Sequence, residues 1–266
     1  LSVLASDAAS CSGGEYYGPN IKVSRRWRCD SREVTPGDAF AALKGAVTDG
    51  HLYVDQAIER GAKLLLVNAD EYEKLSRSGR SFKDVTFITV KETQEALPAI
   101  AKEYLRLVSP RTAAITGSVG KTTTRELTAA ALKNSLRVHS AVRSFNTLVG
   151  CSLTILAMPE DTETLILELG TNHFGEISEM VRTFAPEIAV ITSVAPCHLE
   201  GFGSIEGVMK AKAEICESPA LKAVIFNNDD PRIREFMSHN LDNIKKFSVG
   251  FSEDSELRIS EARVTL

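Results

Sequence analysis

The stretch Thr116-Gly117-Ser118-Val119-Gly120-Lys121-Thr122-Thr123 decides the fold of the larger part of this chain. It follows the short apolar run 113–115 and opens a helical pattern that continues to Lys133. The two glycines let the backbone curl so that successive N–H groups point at one anion, and the following helix adds the positive end of its dipole. A strand, a loop of this kind and a helix, in this order, are the context of a phosphate-binding P-loop.

The loop residues have separable roles in phosphate binding. Lys121 is predicted to bring a full charge to the β- and γ-phosphates of a nucleotide, and Thr122 to offer its hydroxyl to Mg²⁺. The loop is shorter than the usual pattern, whose first glycine would fall at Ile115, inside the strand. The alternative is a glycine-rich strand-to-helix turn that carries a lysine by chance. The predicted nucleotide-binding residues of the loop are Gly117, Ser118, Gly120, Lys121, Thr122 and Thr123.

Strands alternate with helices through most of the chain. The strands are predicted at 63–67, 85–90, 111–116, 165–169, 188–192 and 223–227. Such alternation indicates a mostly parallel sheet with helices on both faces. Ser109-Pro110 interrupts the helical stripe of 92–108. We therefore predict an α/β fold with a small N-terminal α/β domain over 1–108 and a central P-loop ATPase domain over 109–266.

Composition and charge bound the class of protein. Of 266 residues, 43% are hydrophobic and 25% are charged, and the formal net charge is −4. The mildly acidic balance gives no broad attraction to nucleic acid or to an anionic membrane, and no apolar run approaches the roughly 20 residues that span a bilayer. The five cysteines form no C-x-x-C pair, and the first residues lack a signal-peptide pattern. We expect a soluble cytoplasmic protein without nucleic-acid binding or membrane insertion.

Two polar residues follow strands of the predicted sheet. Glu168 lies near the carboxyl end of one strand, and His198 comes after the next. Ligands bind at that edge of open α/β sheets, so Glu168 is a candidate Mg²⁺ ligand and His198 a candidate site residue. The alternatives are a charged strand end in water and a surface or capping histidine. Lys210 and Lys212 face different ways on one helix, and spacing alone favours a solvated face for either.

Several further motifs occur together in one order along the chain. They are Asp30-Ser31-Arg32, 36–45, Asp49-Gly50-His51, 57–62, the P-loop, 168–177, His198-Leu199-Glu200, Lys212-Ala213-Glu214-Ile215 and Asn227-Asn228-Asp229-Asp230. Together they resemble the ATP-dependent Mur ligases of peptidoglycan synthesis. The N-terminal motifs are similar to the UDP-binding domain of the branches that add diaminopimelate, lysine or a dipeptide. The segment 168–177 is similar to the dipeptide-adding branch, since the other branch would have Glu-Val-Ser-Ser there.

The resemblance implies an enzyme, an ATP-dependent amide ligase that adds D-alanyl-D-alanine to UDP-N-acetylmuramoyl-tripeptide. ATP would phosphorylate the terminal carboxylate of the tripeptide, and the amine of the dipeptide would attack the acyl phosphate. Alignment and neutralisation of charge are what such phosphoryl transfer needs from a protein. The resemblance implies ATP and Mg²⁺ as cofactors, and we expect a monomer.

The resemblance also implies roles for single residues. Lys121, Lys212 and His198 would be catalytic, and Lys212 matches a lysine that is carbamylated in the family. Thr122, Glu168 and His198 would hold Mg²⁺, with His198 on a second ion. Asn227 resembles a residue near the adenine. Ser31, Arg32 and His51 would contact the uridine diphosphate end of the substrate, and Asn146 and Thr147 would lie near the muramoyl-peptide.

Departures from the family pattern leave alternatives open. Val119 stands where the family has Asn or Thr, and 144–150 matches an Asn-rich segment loosely. Family members are longer and carry a C-terminal Rossmann-like domain, so we expect this chain to be a part of such a ligase and inactive in ligation alone. The alternatives are a Mur ligase that adds a single amino acid, diaminopimelate or lysine, and a P-loop nucleotide-binding module with a regulatory N-terminal domain.

Overall fold

The computed structural model describes residues 3–23, 26–45, 47–79, 81–141 and 143–261. These residues form two compact units. The first unit comprises the chain up to Ser109 together with Ser152–Asp161, and the second comprises Pro110–Cys151 together with the chain from Thr162 onward. In the described ranges, no helix combines the length and the apolar character that crossing a membrane requires.

The first unit is built on a five-stranded sheet. Its elements are α1 (Ala5–Cys11), β1 (Glu15–Tyr17), β2 (Trp27–Arg28), β3 (Ala39–Ala41), α2 (Val54–Glu59), β4 (Leu64–Asn68), α3 (Ala69–Arg77), β5 (Thr86–Val90) and α4 (Thr93–Val108), with 3₁₀ turns at Ser31–Glu33 and Gly50–Tyr53. The strand order is β1-β5-β4-β3-β2, and only β1, at one edge, runs antiparallel to its neighbour among the described strands. The predicted strands 63–67 and 85–90 are confirmed with small shifts of their ends.

The core of the first unit explains why β4 is continuously apolar. Leu65 and Val67 are fully buried and pack in one cluster with Phe40, Phe87 and Ala57 of the helix α2. A strand covered on both faces has no position for a polar side chain, which is why alternation is absent from its sequence. Transfer of such a leucine or phenylalanine side chain from water contributes about 1.5–3 kcal/mol to folding.

The second unit is built on a seven-stranded sheet. Its elements are β6 (Arg111–Thr116), α5 (Lys121–Leu132), β7 (Val138–Ser140), α6 (Leu148–Leu156, which continues into the first unit), β8 (Thr164–Glu168), α7 (Glu176–Phe184), β9 (Ile188–Ile191), α8 (Leu199–Phe202), α9 (Ile205–Ala213), a 3₁₀ turn (Glu214–Glu217), β10 (Ala223–Asn227), α10 (Pro231–His239), β11 (Lys245–Gly250) and β12 (Leu257–Arg258). The helix predicted to carry Lys210 and Lys212 is thus an α-helix that ends at Ala213 and is followed by the 3₁₀ turn.

The order of the strands places the P-loop at a switch point of the sheet. The order is β12-β11-β10-β9-β6-β8-β7, and every pair of neighbours is parallel. From β6 the chain builds one side of the sheet with β7 and β8, and then crosses to the other side with β9. Ligands of open α/β sheets bind outside the carboxyl ends of the strands at such a point. The predicted α/β fold with a mostly parallel central sheet is thereby confirmed.

Candidate functional site

The P-loop connects β6 to α5 through two glycines with positive φ. Gly117 has φ +148° and Gly120 has φ +87°, conformations that L side chains rarely adopt. A Cβ at Gly117 would also lie 2.0 Å from Oγ1 of Thr192, so no side chain fits there. Because α5 begins at Lys121, its first N–H groups have no acceptor within the helix and are available to an anion.

The segment that follows β9 fixes the P-loop from one side. The N–H of Ser118 donates to the carbonyl oxygen of Ser193 at 2.8 Å, and the hydroxyl of Ser118 accepts from the N–H of Ala195 at 3.0 Å. The hydroxyl of Thr192 donates to the carbonyl oxygen of Val119 at 2.7 Å. The backbone of the loop is thus held without its Val119 side chain, which is exposed. An Asn or Thr at that position is not needed to shape this loop.

Two lysine side chains supply positive charge to the same cavity. Lys121 Nζ donates to the carbonyl oxygens of Gly117, at 2.7 Å, and Ser118, at 3.4 Å, so the ammonium folds back over its own loop. Lys212 is 2% exposed, and this burial, followed by the nearby Lys121 charge, lowers the pKa of Lys212 to about 8. Lys212 therefore does not lie on the solvated helix face that spacing alone favoured, whereas Lys210 is exposed.

Glu168 lies at the end of β8 and is almost fully buried. Its Oε2 accepts hydrogen bonds from Oγ1 of Thr122, at 3.0 Å, and from Nη1 of Arg125, at 3.1 Å. Its Oε1 faces Nδ2 of Asn146 at 3.4 Å. The buried carboxylate is thus paired with a buried guanidinium rather than exposed to water as a charged strand end.

The Thr122 hydroxyl and the Glu168 carboxylate fit a magnesium ion by the chemistry of their donors. Mg²⁺ binds hard oxygen ligands and usually keeps several waters beside one or two protein groups and the phosphates of the substrate. The described residues contain no group of three or more His, Cys, Asp or Glu side chains that could enclose a metal. A cation held by Thr122 and Glu168 would therefore complete its coordination with phosphate and water.

A cavity of about 330 Å³ opens beside these groups. Of the predicted site residues, it is lined by Gly117, Ser118, Lys121, Asn146, Thr147, His198 and Lys212. His198 has a left-handed backbone with φ +50° and its ring lies edge-on to Phe202. Gly120, Thr122, Thr123, Glu168 and Asn227 are outside the lining. Thr122 and Glu168 nevertheless connect to it through the contact of Glu168 with Asn146.

Asn227 belongs to a turn that organises the backbone. Its Oδ1 accepts from the N–H of Asp229 at 2.9 Å. The Asp229 carboxylate accepts from the N–H groups of Phe251 and Ser252, and Asp230 accepts from the N–H of Val194 at 3.1 Å. This motif holds the strand ends together, and the role of Asn227 near an adenine stays a prediction.

Two carboxylates that hold the cavity wall, Glu176 and Glu214, are absent from the predicted site residues. The Glu176 carboxylate accepts from the N–H groups of Asn172, at 2.7 Å, and His173, at 3.2 Å. Burial opposes the ionised form of Glu176, but these bonds outweigh it and lower its pKa. Glu214 accepts from the N–H groups of Gly175 and Ser178. The glycine before Glu176 signalled the start of a helix, but no local pattern signalled a cap from Glu214.

The predicted substrate residues of the first unit differ in whether their polar atoms are accessible to a ligand. Ser31 is buried and its hydroxyl donates to Oε1 of Gln56 at 2.5 Å. His51 contacts Oδ1 of Asp49 through Nδ1, at 2.6 Å, and its Nε2 accepts from the N–H of Asn68 at 3.0 Å. Both ring nitrogens of His51 are engaged inside the chain. The Arg32 side chain, by contrast, is 81% exposed and pairs with Asp30 at the surface.

The chain is similar to known proteins over most of its length. The sequence model described as the Mur ligase middle domain matches residues 115–265, and that of the Mur ligase family catalytic domain matches residues 27–114. A UDP-N-acetylmuramoyl-tripeptide–D-alanyl-D-alanine ligase of Haemophilus influenzae is 40% identical over 200 residues, which are 74% of this chain and 42% of the relative. The ligase of the same name from Bacillus subtilis is 35% identical over 230 residues, 86% of this chain and 48% of the relative. The chain spans about half the length of the curated relatives it matches.

Solved structures of similar proteins share the fold. A crystal structure of MurF from Acinetobacter baumannii aligns with a TM-score of 0.76 at 26% identity, over 94% of this chain and 54% of that protein. MurF ligase from Thermotoga maritima, determined in complex with ADP, aligns with a TM-score of 0.71 at 30% identity, over 86% of this chain and 51% of that protein. The middle-domain match covers more than half of the chain and includes the P-loop, Glu168, His198 and Lys212; the chain belongs to the Mur ligase family.

Proposed function

We propose that this chain is the substrate- and ATP-binding part of an ATP-dependent ligase that adds D-alanyl-D-alanine to UDP-N-acetylmuramoyl-tripeptide. The observation that carries the proposal is a single cavity lined by the P-loop, by Lys212 and by the Gly170-Thr171-Asn172 loop. That loop belongs to the segment 168–177, whose sequence is similar to the dipeptide-adding branch. The names of the relatives from Haemophilus influenzae and Bacillus subtilis support the same reaction.

The residues of the cavity suit a transfer of phosphate to a carboxylate. The first N–H groups of α5 and the Lys121 ammonium would bind the triphosphate, and Lys212 adds a second cation against the growing negative charge. Thr122 and Glu168 would hold Mg²⁺, which neutralises phosphate charge when bound. Asn146 and Thr147 line the same cavity and would orient the peptide carboxylate toward the transferred group. We propose His198 as a further polar contact of the reacting groups.

Lys212 stays a free amine in this proposal. A carbamate at this lysine is a feature of the branches that add a single amino acid, whereas the relatives matched here add the dipeptide. The expectation of a carbamylated Lys212 is therefore corrected. At neutral pH an amine with a pKa of about 8 is mainly protonated, and a bound phosphate would raise that pKa further.

We propose that the first unit binds the uridine diphosphate end of the substrate, with the exposed guanidinium of Arg32 as one of its contacts. The two alternatives are less well supported. Relatives at 35–40% identity are named for dipeptide addition rather than for a single amino acid. A simple P-loop module would not explain the family match over residues 27–114. We further propose that the reaction takes place in the cytoplasm, without nucleic acid or membrane as a partner.

A coupled assay of phosphate release tests the proposal in the full-length protein that contains this chain. Release should require ATP, UDP-N-acetylmuramoyl-tripeptide and D-alanyl-D-alanine together. Diaminopimelate or lysine in place of the dipeptide should give no release above background. Phosphate release with a single amino acid, or none with the dipeptide, would contradict the proposed reaction. Binding of ATP without binding of the UDP-muramoyl-tripeptide would support the simple nucleotide-binding module instead.

A further inference from the structure

Arg125 is a fully buried cation in the helix of the P-loop. Its side chain is 1% exposed, which is rare for arginine unless the charge is paired. It lies four residues after Lys121 and three after Thr122, so its side chain is a neighbour of each of theirs along α5. No phosphate-binding pattern of the sequence requires an arginine at this position.

The guanidinium of Arg125 joins three parts of the second unit. Nη1 donates to Oε2 of Glu168 at 3.1 Å and to the carbonyl oxygen of Arg143 at 2.8 Å. Nη2 contacts Oε1 of Glu126 at 3.2 Å. The planar fork is thus held at both of its ends, and it cannot rotate without breaking these contacts. A single ammonium could not reproduce all three.

These contacts determine which oxygen of Glu168 is left for other ligands. Oε2 is used by Arg125 and by Thr122, whereas Oε1 has only the long 3.4 Å contact with Asn146 among the described residues. Asn146 lines the cavity, so Oε1 is on the cavity side of the carboxylate. The carboxylate of a buried Glu without such a partner would reorient or lose its charge.

We propose that Arg125 is the positioning residue that orients Glu168 for magnesium in the nucleotide site. The inference rests on the proposed function, since it takes Glu168 and Thr122 as the groups that hold Mg²⁺. Arg125 touches neither nucleotide nor peptide in this proposal. It acts through the carboxylate, and through the carbonyl oxygen of Arg143 it fixes that carboxylate relative to the segment that carries Asn146.

The test separates the metal-dependent part of ATP binding from the rest. Calorimetry gives the ATP affinity in excess Mg²⁺ and in EDTA, and their ratio is the magnesium coupling. In the unsubstituted chain we expect a coupling of at least about tenfold. In Arg125→Met it should fall to within about twofold of unity, while the affinity in EDTA changes by less than about twofold. A merely structural role would weaken both affinities equally, and that result would overturn the proposal.

Two further variants keep the test decisive. Arg125→Lys keeps the charge but not the fork, so its coupling should lie at least about threefold below that of the unsubstituted chain. This variant decides the matter if Arg125→Met does not fold, and a coupling equal to that of the unsubstituted chain would overturn the proposal. Glu126→Gln keeps an oxygen acceptor for Nη2 and removes only the charge of this exposed side chain, so it should leave the coupling unchanged.

The results for the unsubstituted chain and for Arg125→Met together show whether the inference about Arg125 fails alone or the proposed function fails with it. Absence of ATP binding by that chain would refute the proposed function and the inference together. ATP binding with no magnesium coupling would overturn the metal role of Glu168 and therefore the role of Arg125. Strong coupling that survives in a folded Arg125→Met would overturn the inference alone and leave the proposed function standing.

Discussion

Nζ of Lys121 donates a hydrogen bond to the carbonyl oxygen of Gly117 at 2.7 Å, across the mouth of the P-loop. The contact keeps the ammonium over the loop, because the Gly117 carbonyl belongs to the loop itself, four residues before Lys121. A carbonyl oxygen is a neutral acceptor, and hydrogen bonds between two charged groups are shorter and roughly twice as strong. A phosphate at the loop would therefore replace this acceptor with a better one at little cost in reorganisation.

We predict that Lys121→Ala weakens ATP binding by at least about tenfold, because it removes a charge-assisted hydrogen bond worth about 1.5–3 kcal/mol. Isothermal titration calorimetry with ATP and magnesium measures the effect. Lys133→Ala is the matched control, since Lys133 is exposed at the other end of α5 and should leave the affinity unchanged. Equal affinities of Lys121→Ala and the unsubstituted chain would contradict the P-loop interpretation.

The features that could be predicted from the sequence are those encoded by neighbours in the chain. The P-loop, its strand and its helix lie within one short stretch, and the alternation of apolar runs indicated the parallel sheet. Arg125 and Glu214 could not be found in this way, since each acts on residues from another part of the chain: Arg125 on Glu168, and Glu214 on Gly175. Sequence spacing carries no information about which buried acceptor a long side chain will meet.

Polar residues of the right type also differ in whether their atoms are free. His51 and Asn227 were singled out as ligand contacts, yet His51 holds Asp49 and the backbone of Asn68, and Asn227 accepts from the N–H of Asp229. Such internal bonds satisfy buried polar groups, which folded proteins rarely leave unpaired. The sequence shows the type of each polar residue, whereas its hydrogen-bond partner depends on the three-dimensional fold.

Lys212 should make the stability of the chain depend on pH. The folded chain releases this proton near pH 8, whereas the unfolded chain keeps it to about 10.5. Between these values the unfolded state binds more protons, so the free energy of unfolding rises with pH. The free-energy cost of burying the protonated Lys212 amine is therefore fully present below pH 8. We predict that Lys212→Met is more stable than the unsubstituted chain at pH 7, by on the order of 1 kcal/mol or more, and that the difference narrows toward pH 10.

Urea unfolding at about pH 7 and about pH 9.5 measures this difference in the free energy of unfolding. Lys210→Met is the control, because Lys210 lies on the same helix but is exposed. The free energy of unfolding of Lys210→Met should differ from that of the unsubstituted chain by the same amount at both pH values. If Lys212→Met and the unsubstituted chain had the same free energy of unfolding at both pH values, burial of the Lys212 amine would not destabilise the folded chain.

His51 should matter for the stability of the first unit even without a ligand. Its ring connects Asp49 to the N–H of Asn68, at the end of the buried strand β4. His51→Ala leaves that N–H without its acceptor, at a cost of about 1–3 kcal/mol in the free energy of unfolding. Urea denaturation measures the loss. Unchanged stability combined with lost affinity for a UDP ligand would show that His51 serves the substrate rather than the fold.

Arg32 should behave in the opposite way. Its guanidinium is 81% exposed and its salt bridge to Asp30 is local, so Arg32→Ala should leave the free energy of unfolding unchanged within the error of a urea titration. If the first unit binds the uridine diphosphate end, the same variant should lose several-fold in affinity for UDP, which calorimetry measures. Equal UDP affinities of Arg32→Ala and the unsubstituted chain would argue against the role proposed for Arg32.

Glu214 supplies the cap of a helix that lies 39 residues away from it in the sequence. Helix α7 begins after Gly175, which has no side chain to cap it, and the Glu214 carboxylate accepts from the N–H groups of Gly175, at 2.8 Å, and Ser178, at 3.1 Å. Glu214→Ala leaves both groups without an acceptor and removes a negative charge from the positive end of the helix dipole. We therefore predict a loss of about 2 kcal/mol in the free energy of unfolding, with faster hydrogen exchange at the Gly175 and Ser178 amides.

Glu235→Ala is the control, because Glu235 is on the exposed face of α10 and its loss should lower the free energy of unfolding by less than about 0.5 kcal/mol. If Glu214→Ala cost no more than this control and left both exchange rates unchanged, the start of α7, and with it the cavity wall at Thr171 and Asn172, would have to be held by Glu176 alone.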